Sequence, residues 1–191
     1  MMDLKKLKRA TKHLHRCYEL YYIWELGVIN SSYSKLFYKN DVLGIMSYNV
    51  YQMLVIKLNI LFENKGKHSI LLLVKSLQDG KHIKEATRLF KLIRRKHSKA
   101  IANIEWLRNK YYAHYDDVEL TDVQYKYLGR DELLKLLNEI ELVMILMWYN
   151  STGEIPHKFE NIGFSHSVAK TFKSLLPEKK TVGINYETDI I

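Results

Sequence analysis

A chain of 191 residues with 47% apolar residues and a net charge of +9 has a globular composition, far from the polar, charge-rich make-up of disordered chains. Eight glycines and two prolines provide few turns and breaks, which points to an all-α fold and away from a many-stranded one. A lone cysteine, Cys17, excludes an intramolecular disulfide framework and suits the reducing cytoplasm. The basic balance suits a polyanion, either nucleic acid or an anionic membrane surface.

At the amino terminus, MMDLKKLKR is followed by ATKHLHRCYEL, whose repeated charges rule out a secretory h-region. The most apolar stretches, 70–74 and 142–149, are too short to cross a bilayer. A soluble cytoplasmic protein without a membrane role is expected.

Apolar spacing predicts five main helices. The first covers roughly 4–29, with Leu4, Leu7, Leu14, Cys17, Tyr21 and Val28 near one face. The second covers roughly 41–63 behind a capping Asn40, and a short apolar helix follows at 68–77, closed by Gln78-Asp79-Gly80. The fourth, roughly 82–114, places Ile83, Ala86, Leu89, Phe90, Ile93, Ala100, Ile101, Ile104, Leu107 and Tyr111 in one arc. Opposite that arc run Lys84, Arg88, Lys91, Arg95 and Lys99, a basic stripe within residues 81–100, where Glu85 is the only acid. A pattern this long predicts a kink or break.

The fifth helix, roughly 131–149, is rich in Leu, Ile, Val and Met throughout and is ended by Ser151-Thr152-Gly153. These elements predict an up-and-down bundle. The domain expectation is a helical domain over 1–164, then a short amphipathic helix at 165–176 and a polar tail to 191.

The carboxyl end of the fourth helix carries the densest chemistry: Glu105-Trp106-Leu107-Arg108-Asn109-Lys110-Tyr111-Tyr112-Ala113-His114-Tyr115-Asp116. Chance alone gives about one arginine–histidine pair at such spacing in a chain of this composition, and Arg9 with His15 supplies one. The 108–114 pair is set apart by its context: the adjacent Asn109, the Ala-His-x-Asp ending and the long helix leading into it.

This string resembles the signature of the HEPN superfamily, and the metal-independent RNA cleavage that the resemblance implies needs proton transfer at the 2′-hydroxyl and the 5′-oxygen, and stabilisation of charge at phosphorus. Imidazole titrates near neutrality and serves as acid or base. Arginine stays charged and offers a planar fork to phosphate oxygens. Asn109 can orient the hydroxyl or the phosphate.

On an ideal helix, the six residues from Arg108 to His114 correspond to about 240° of rotation, so one chain does not stack the two side chains on one face. Two copies packed along the apolar arc would bring both motifs into one cleft.

The string Leu-Arg-Asn-Lys-x-x-Ala-His-x-Asp resembles the signature of the HEPN superfamily and is most similar to its abortive-infection U2-like branch. The resemblance implies an all-helical homodimer with a composite endoribonuclease site at Arg108, Asn109 and His114. It also implies a toxin or antiphage role, with a possible antitoxin such as a nucleotidyltransferase. The variant of the motif that such partners modify has a tyrosine two positions after the histidine. This chain has Asp116 there, so the resemblance does not extend to that control.

Asp116 can orient His114, hold Arg108 or end the helix. Lys110 and the basic stripe are candidate RNA-backbone contacts, and Tyr112 and Tyr115 are candidate stacking platforms for unpaired bases. The plainer readings are an ion pair of Arg108 with Glu105, Asp116 or Asp117, and a solvated basic helix face. His97 falls on the apolar face as a packed residue, while His13 and His15 lie on different faces. No zinc pattern, phosphate-cradling glycine loop or dinucleotide fingerprint is present, so neither metal nor cofactor is expected. A non-catalytic HEPN dimer that binds RNA or nucleotide, or scaffolds other proteins, is the alternative; a basic module docking on lipid or protein is the third reading.

Overall fold

A computed structural model of the chain describes residues 4–29, 39–63, 69–77, 80–112 and 126–154. They form α1 (Leu4–Ile29), α2 (Asp41–Phe62), α3 (Ile70–Ser76), α4 (Lys81–Lys96), α5 (Ser98–Trp106), a single π turn (Leu107–Tyr111) and α6 (Arg130–Thr152). No strand occurs among the described residues. The expected short helix at 165–176 and the tail lie outside them.

Helix starts follow side-chain chemistry. The Asn40 carboxamide oxygen accepts from the amides of Val42 and Leu43 at 3.1 and 3.3 Å, satisfying donors that have no partner within the first turn. Gly153 closes α6 in the left-handed region at φ +74°, where a side chain would be strained. Gly80 has a different role from the predicted helix stop. Its backbone is extended and it precedes α4, and a Cβ there would meet Asn150 Oδ1 at 2.5 Å. It is small because α4 begins against the end of α6.

The long helices pack antiparallel to their partners. Along the α1–α6 seam, Trp148 Nε1 donates to Thr11 Oγ1 at 2.7 Å, the Tyr18 hydroxyl donates to Glu141 at 2.8 Å, and Arg130 pairs with Glu25 at 2.6 Å. The α4–α6 seam is marked by His82 edge-on to Tyr149 at 4.9 Å and, lower down, by Lys96 and His97 meeting Glu139. Between α2 and α4, Phe62 and Phe90 stack at 6.0 Å.

α6 is the central helix, burying Leu133, Leu136, Leu137, Ile140, Val143, Met144 and Met147. Burying each such side chain contributes about 1.5–3 kcal/mol before ordering costs. Cys17 is sealed in the same core, and burial pushes its thiol up to about 12. It therefore stays a neutral, inert thiol at physiological pH.

The predicted long fourth helix is broken at His97, whose φ of −104° and ψ of 25° interrupt the helix. Its ring is buried and bonds Glu139 Oε2 at 3.0 Å. Burial opposes ionisation of Glu139, but hydrogen bonds from Lys96 and His97 outweigh it and hold the carboxyl below its usual range. The kink thus sits where α4 is pinned to α6.

The apolar arc of this element is consumed inside the bundle. Ile83, Ala86, Phe90, Ile93, Ala100, Ile104 and Leu107 are buried in one chain's core, and Leu89 and Ile101 are half-buried against it. This corrects the expectation that two copies pack along that arc.

Candidate functional site

The motif begins where the helix widens. Leu107 is fully buried and anchors a π turn whose closing bond runs from the Tyr112 amide to the Leu107 carbonyl at 2.9 Å. Such a turn contains one more residue than an α turn, and π turns often occur at functional sites. The ideal-helix rotation between Arg108 and His114 therefore does not apply. Immediately after the buried Leu107, Arg108 is turned outward with 47% of its side chain exposed.

Arg108 Nη1 donates to the Asn109 carboxamide oxygen at 2.6 Å. Its Nη2 lies 3.9 Å from Glu63 Oε1, at the end of α2. The same Glu63 oxygen accepts from Asn59 Nδ2 at 2.9 Å, and Asn59 is itself buried. The carboxylate facing Arg108 is thus on another helix and not at Glu105. Asp116 and Asp117 lie outside the described residues.

An exposed pair 3.9 Å apart holds Arg108 weakly, by about 0–1 kcal/mol. It orients the guanidinium and leaves it able to exchange partners. The fork is positioned at the edge of the core, beside one carboxamide and one carboxylate.

Tyr112, a candidate stacking residue, lies at the end of the π turn. Its ring is half-buried against the core and sits edge-on to Tyr48, centroids 6.4 Å apart. Burial, with Tyr127, Tyr51 and Tyr48 nearby, holds its hydroxyl far above the ordinary range. It remains protonated and packs at the end of the π turn.

After residues 113–125, the chain returns to the same patch. Tyr127 packs on Tyr51 at 4.8 Å, the Leu128 amide donates to the Tyr51 hydroxyl at 2.9 Å, and the Lys126 ammonium lies 5.8 Å from the Trp106 ring centre. Both ends of that stretch are therefore fixed on α2 and α5. His114, Tyr115 and Asp116 belong to it and lie outside the described residues.

Lys84, Arg88, Lys91, Arg95 and Lys99 are all exposed, on the side of α4 and α5 opposite the buried arc. Arg88 meets Glu85 at 3.2 Å on the surface. Lys110 is exposed as well, and Arg108 faces Glu63 at the end of α2. Of the other histidines, His13 bonds the Lys57 carbonyl at 2.9 Å and His15 lies 3.2 Å from Glu19. Among the described residues no group of three potential metal ligands occurs.

Glu63, Asn59 and Tyr48 were not foreseen as neighbours of the motif. The available signal was Asn59 with Glu63 at i, i+4 within an otherwise apolar run, a polar pair placed where a core helix has no need of one. α2 is also long and apolar enough to cross a bilayer by length and composition, with 39% of that window buried inside the bundle.

The sequence model of the HEPN_AbiU2 family (AbiU2) matches residues 4–166. That span takes in every described helix and the whole 105–116 motif. No curated protein and no solved structure matches the chain.

Proposed function

The chain belongs to the AbiU2 family of HEPN proteins, and on that premise we propose that it is a metal-independent endoribonuclease acting as a toxin or antiphage effector. One observation carries the reading: a half-exposed Arg108 on a π turn, with Asn109 beside it, at the edge of a packed core. His114 follows Tyr112 by two residues in the sequence.

In the proposed reaction the ribose 2′-oxygen attacks phosphorus and the bond to the 5′-oxygen breaks. The 2′-proton passes to His114 of one copy, and the departing 5′-oxygen takes a proton from His114 of the partner subunit. The products are a 2′,3′-cyclic phosphate and a 5′-hydroxyl. Arg108 neutralises charge on the non-bridging oxygens, for which it exchanges Glu63 for phosphate. Asn109 holds the fork in place, and Asp116 supports His114. RNA reaches the cleft along Lys84, Arg88, Lys91, Arg95, Lys99 and Lys110, by backbone attraction that weakens as salt rises. In this reading the cellular partners are RNA, a second copy and a protein antitoxin, in the cytoplasm.

The alternative is a non-catalytic dimer. It draws on the same geometry, since Arg108 already donates to its own Asn109. Incubating the purified protein with a structured RNA in excess EDTA separates the two. The enzyme reading expects cleavage undiminished by chelation and fragments ending in a cyclic phosphate. RNA that is bound but stays intact would establish the alternative.

A further inference from the structure

Ten residues between 81 and 100 are exposed, and seven of them are lysine or arginine. Glu85, Leu92 and Ser98 complete the exposed face. Phe90 is the one phenylalanine, tyrosine or tryptophan in this segment, and it is buried against Phe62. The face therefore offers positive charge and no aromatic ring.

Charge without rings selects how a nucleic acid is held. Unpaired RNA is gripped through its bases, which stack on aromatic side chains set among the phosphate contacts. A paired A-form stem turns its bases inward and is recognised by the shape and charge of its sugar–phosphate backbone. We infer that the exposed face of α4 and α5 docks the backbone of a paired RNA stem, and that the substrate is RNA cut in an unpaired stretch beside such a stem. The docking stands on the charge pattern, and the cut rests on the endoribonuclease reading above.

Rigidity and position agree with this partner. α4 is fixed in the core by Ile83, Ala86, Phe90 and Ile93, and His97 pins its end to Glu139 of α6. From Lys84 to Arg95 the stripe rises about 16 Å as one stiff row. A stiff partner suits it, since neither side then loses much freedom on binding. Arg88 meets Glu85 at 3.2 Å on the surface, a pair weak enough to give way to a phosphate. Lys99 precedes Arg108 by nine residues, a rise of about 14 Å along α5 and the π turn. The motif thus lies a short reach beyond the end of the stripe.

An anionic membrane is the poorer match. A helix lying in a lipid surface sinks an apolar side into it, and that side of α4 is buried in the core.

Binding to a short RNA hairpin and to an unpaired strand of equal length provides the test. It is measured on the full chain in the Arg108→Ala background, which keeps the RNA intact. The hairpin is expected to bind at least about tenfold more tightly. Lys91→Gln with Arg95→Gln is expected to abolish that preference. It should also lower the slope of log affinity against log salt by about two, one for each cation lost. Arg9→Gln with Lys12→Gln on α1 changes the net charge equally and is expected to leave the preference in place. All four positions are exposed, so the fold is expected to hold.

Equal affinity for hairpin and unpaired strand would overturn the inference. So would a preference that survives the stripe variant or falls as far in the α1 control, or capture by anionic vesicles with no preference for paired RNA. A wild type that binds the stem and cuts nothing would uphold the docking surface and sink the proposed activity. Cleavage indifferent to a neighbouring stem would do the reverse.

Discussion

Arg108→Ala is expected to lower RNA cleavage about 10²–10³-fold, the usual cost of removing one group that stabilises charge in a transition state. His114→Ala is expected to cost about 10²–10⁴-fold, the range for general acid–base groups. The two losses have different physical signatures. Arg108 is nearly half exposed and its ion partner is 3.9 Å away, so its removal should alter folding stability by no more than about 0.5 kcal/mol. The stripe on α4 and α5 is untouched in both variants, so RNA affinity should persist while turnover falls.

Arg108→Lys makes the test sharper. It keeps the charge and loses the planar fork, and the expected rate falls between wild type and alanine. Single-turnover cleavage beside a binding titration checks all three variants. Equal cleavage by wild type and Arg108→Ala would remove Arg108 from the chemistry.

The largest stability effect is expected at Phe90. Its ring is 2% exposed and stacks on Phe62 with planes 10° apart. Truncation to alanine removes that packing and leaves a cavity, at a cost of about 3–5 kcal/mol. In a chain of this size, that corresponds to a fall in melting temperature of roughly 10 °C or more. Leu92, two residues away and 58% exposed, should tolerate alanine within about 0.5 kcal/mol. Thermal denaturation of the two variants checks the pair. A Phe90→Ala protein that melts with wild type would mean that α4 does not pack on α2 as described.

Phe62 is followed in the chain by Glu63, the carboxylate facing Arg108. Loosening the aromatic contact should therefore also disturb the fork's setting. This couples the core to the site through a single residue step.

The helices were legible because burial imposes a period. The bounds of α1, the Asn40 cap, the Gly153 stop and the buried set from Ile83 to Leu107 all follow from apolar spacing and capping chemistry. The break at His97 was foreseen only as a consequence of length. Its position depends on Glu139, a residue 42 positions later, and no local pattern reports such a contact.

The π turn was not legible at all. One extra residue in a turn leaves the apolar pattern nearly intact, so spacing alone does not reveal it. Tyr112, at its end, meets Tyr48 of α2, a neighbour that helical spacing did not indicate. The partner of Arg108 was missed for a related reason. Candidates were sought nearby in sequence, whereas the fold presents Glu63 from α2.

The proposed chemistry depends on attack by the ribose 2′-oxygen under Arg108 and His114. Once a cut site has been mapped on a defined RNA, the decisive measurement uses the same RNA with a single 2′-deoxy nucleotide on the 5′ side of that bond. The proposed mechanism predicts that this cut disappears while affinity and the remaining cuts are unchanged. Persistent cleavage at the substituted bond would contradict it.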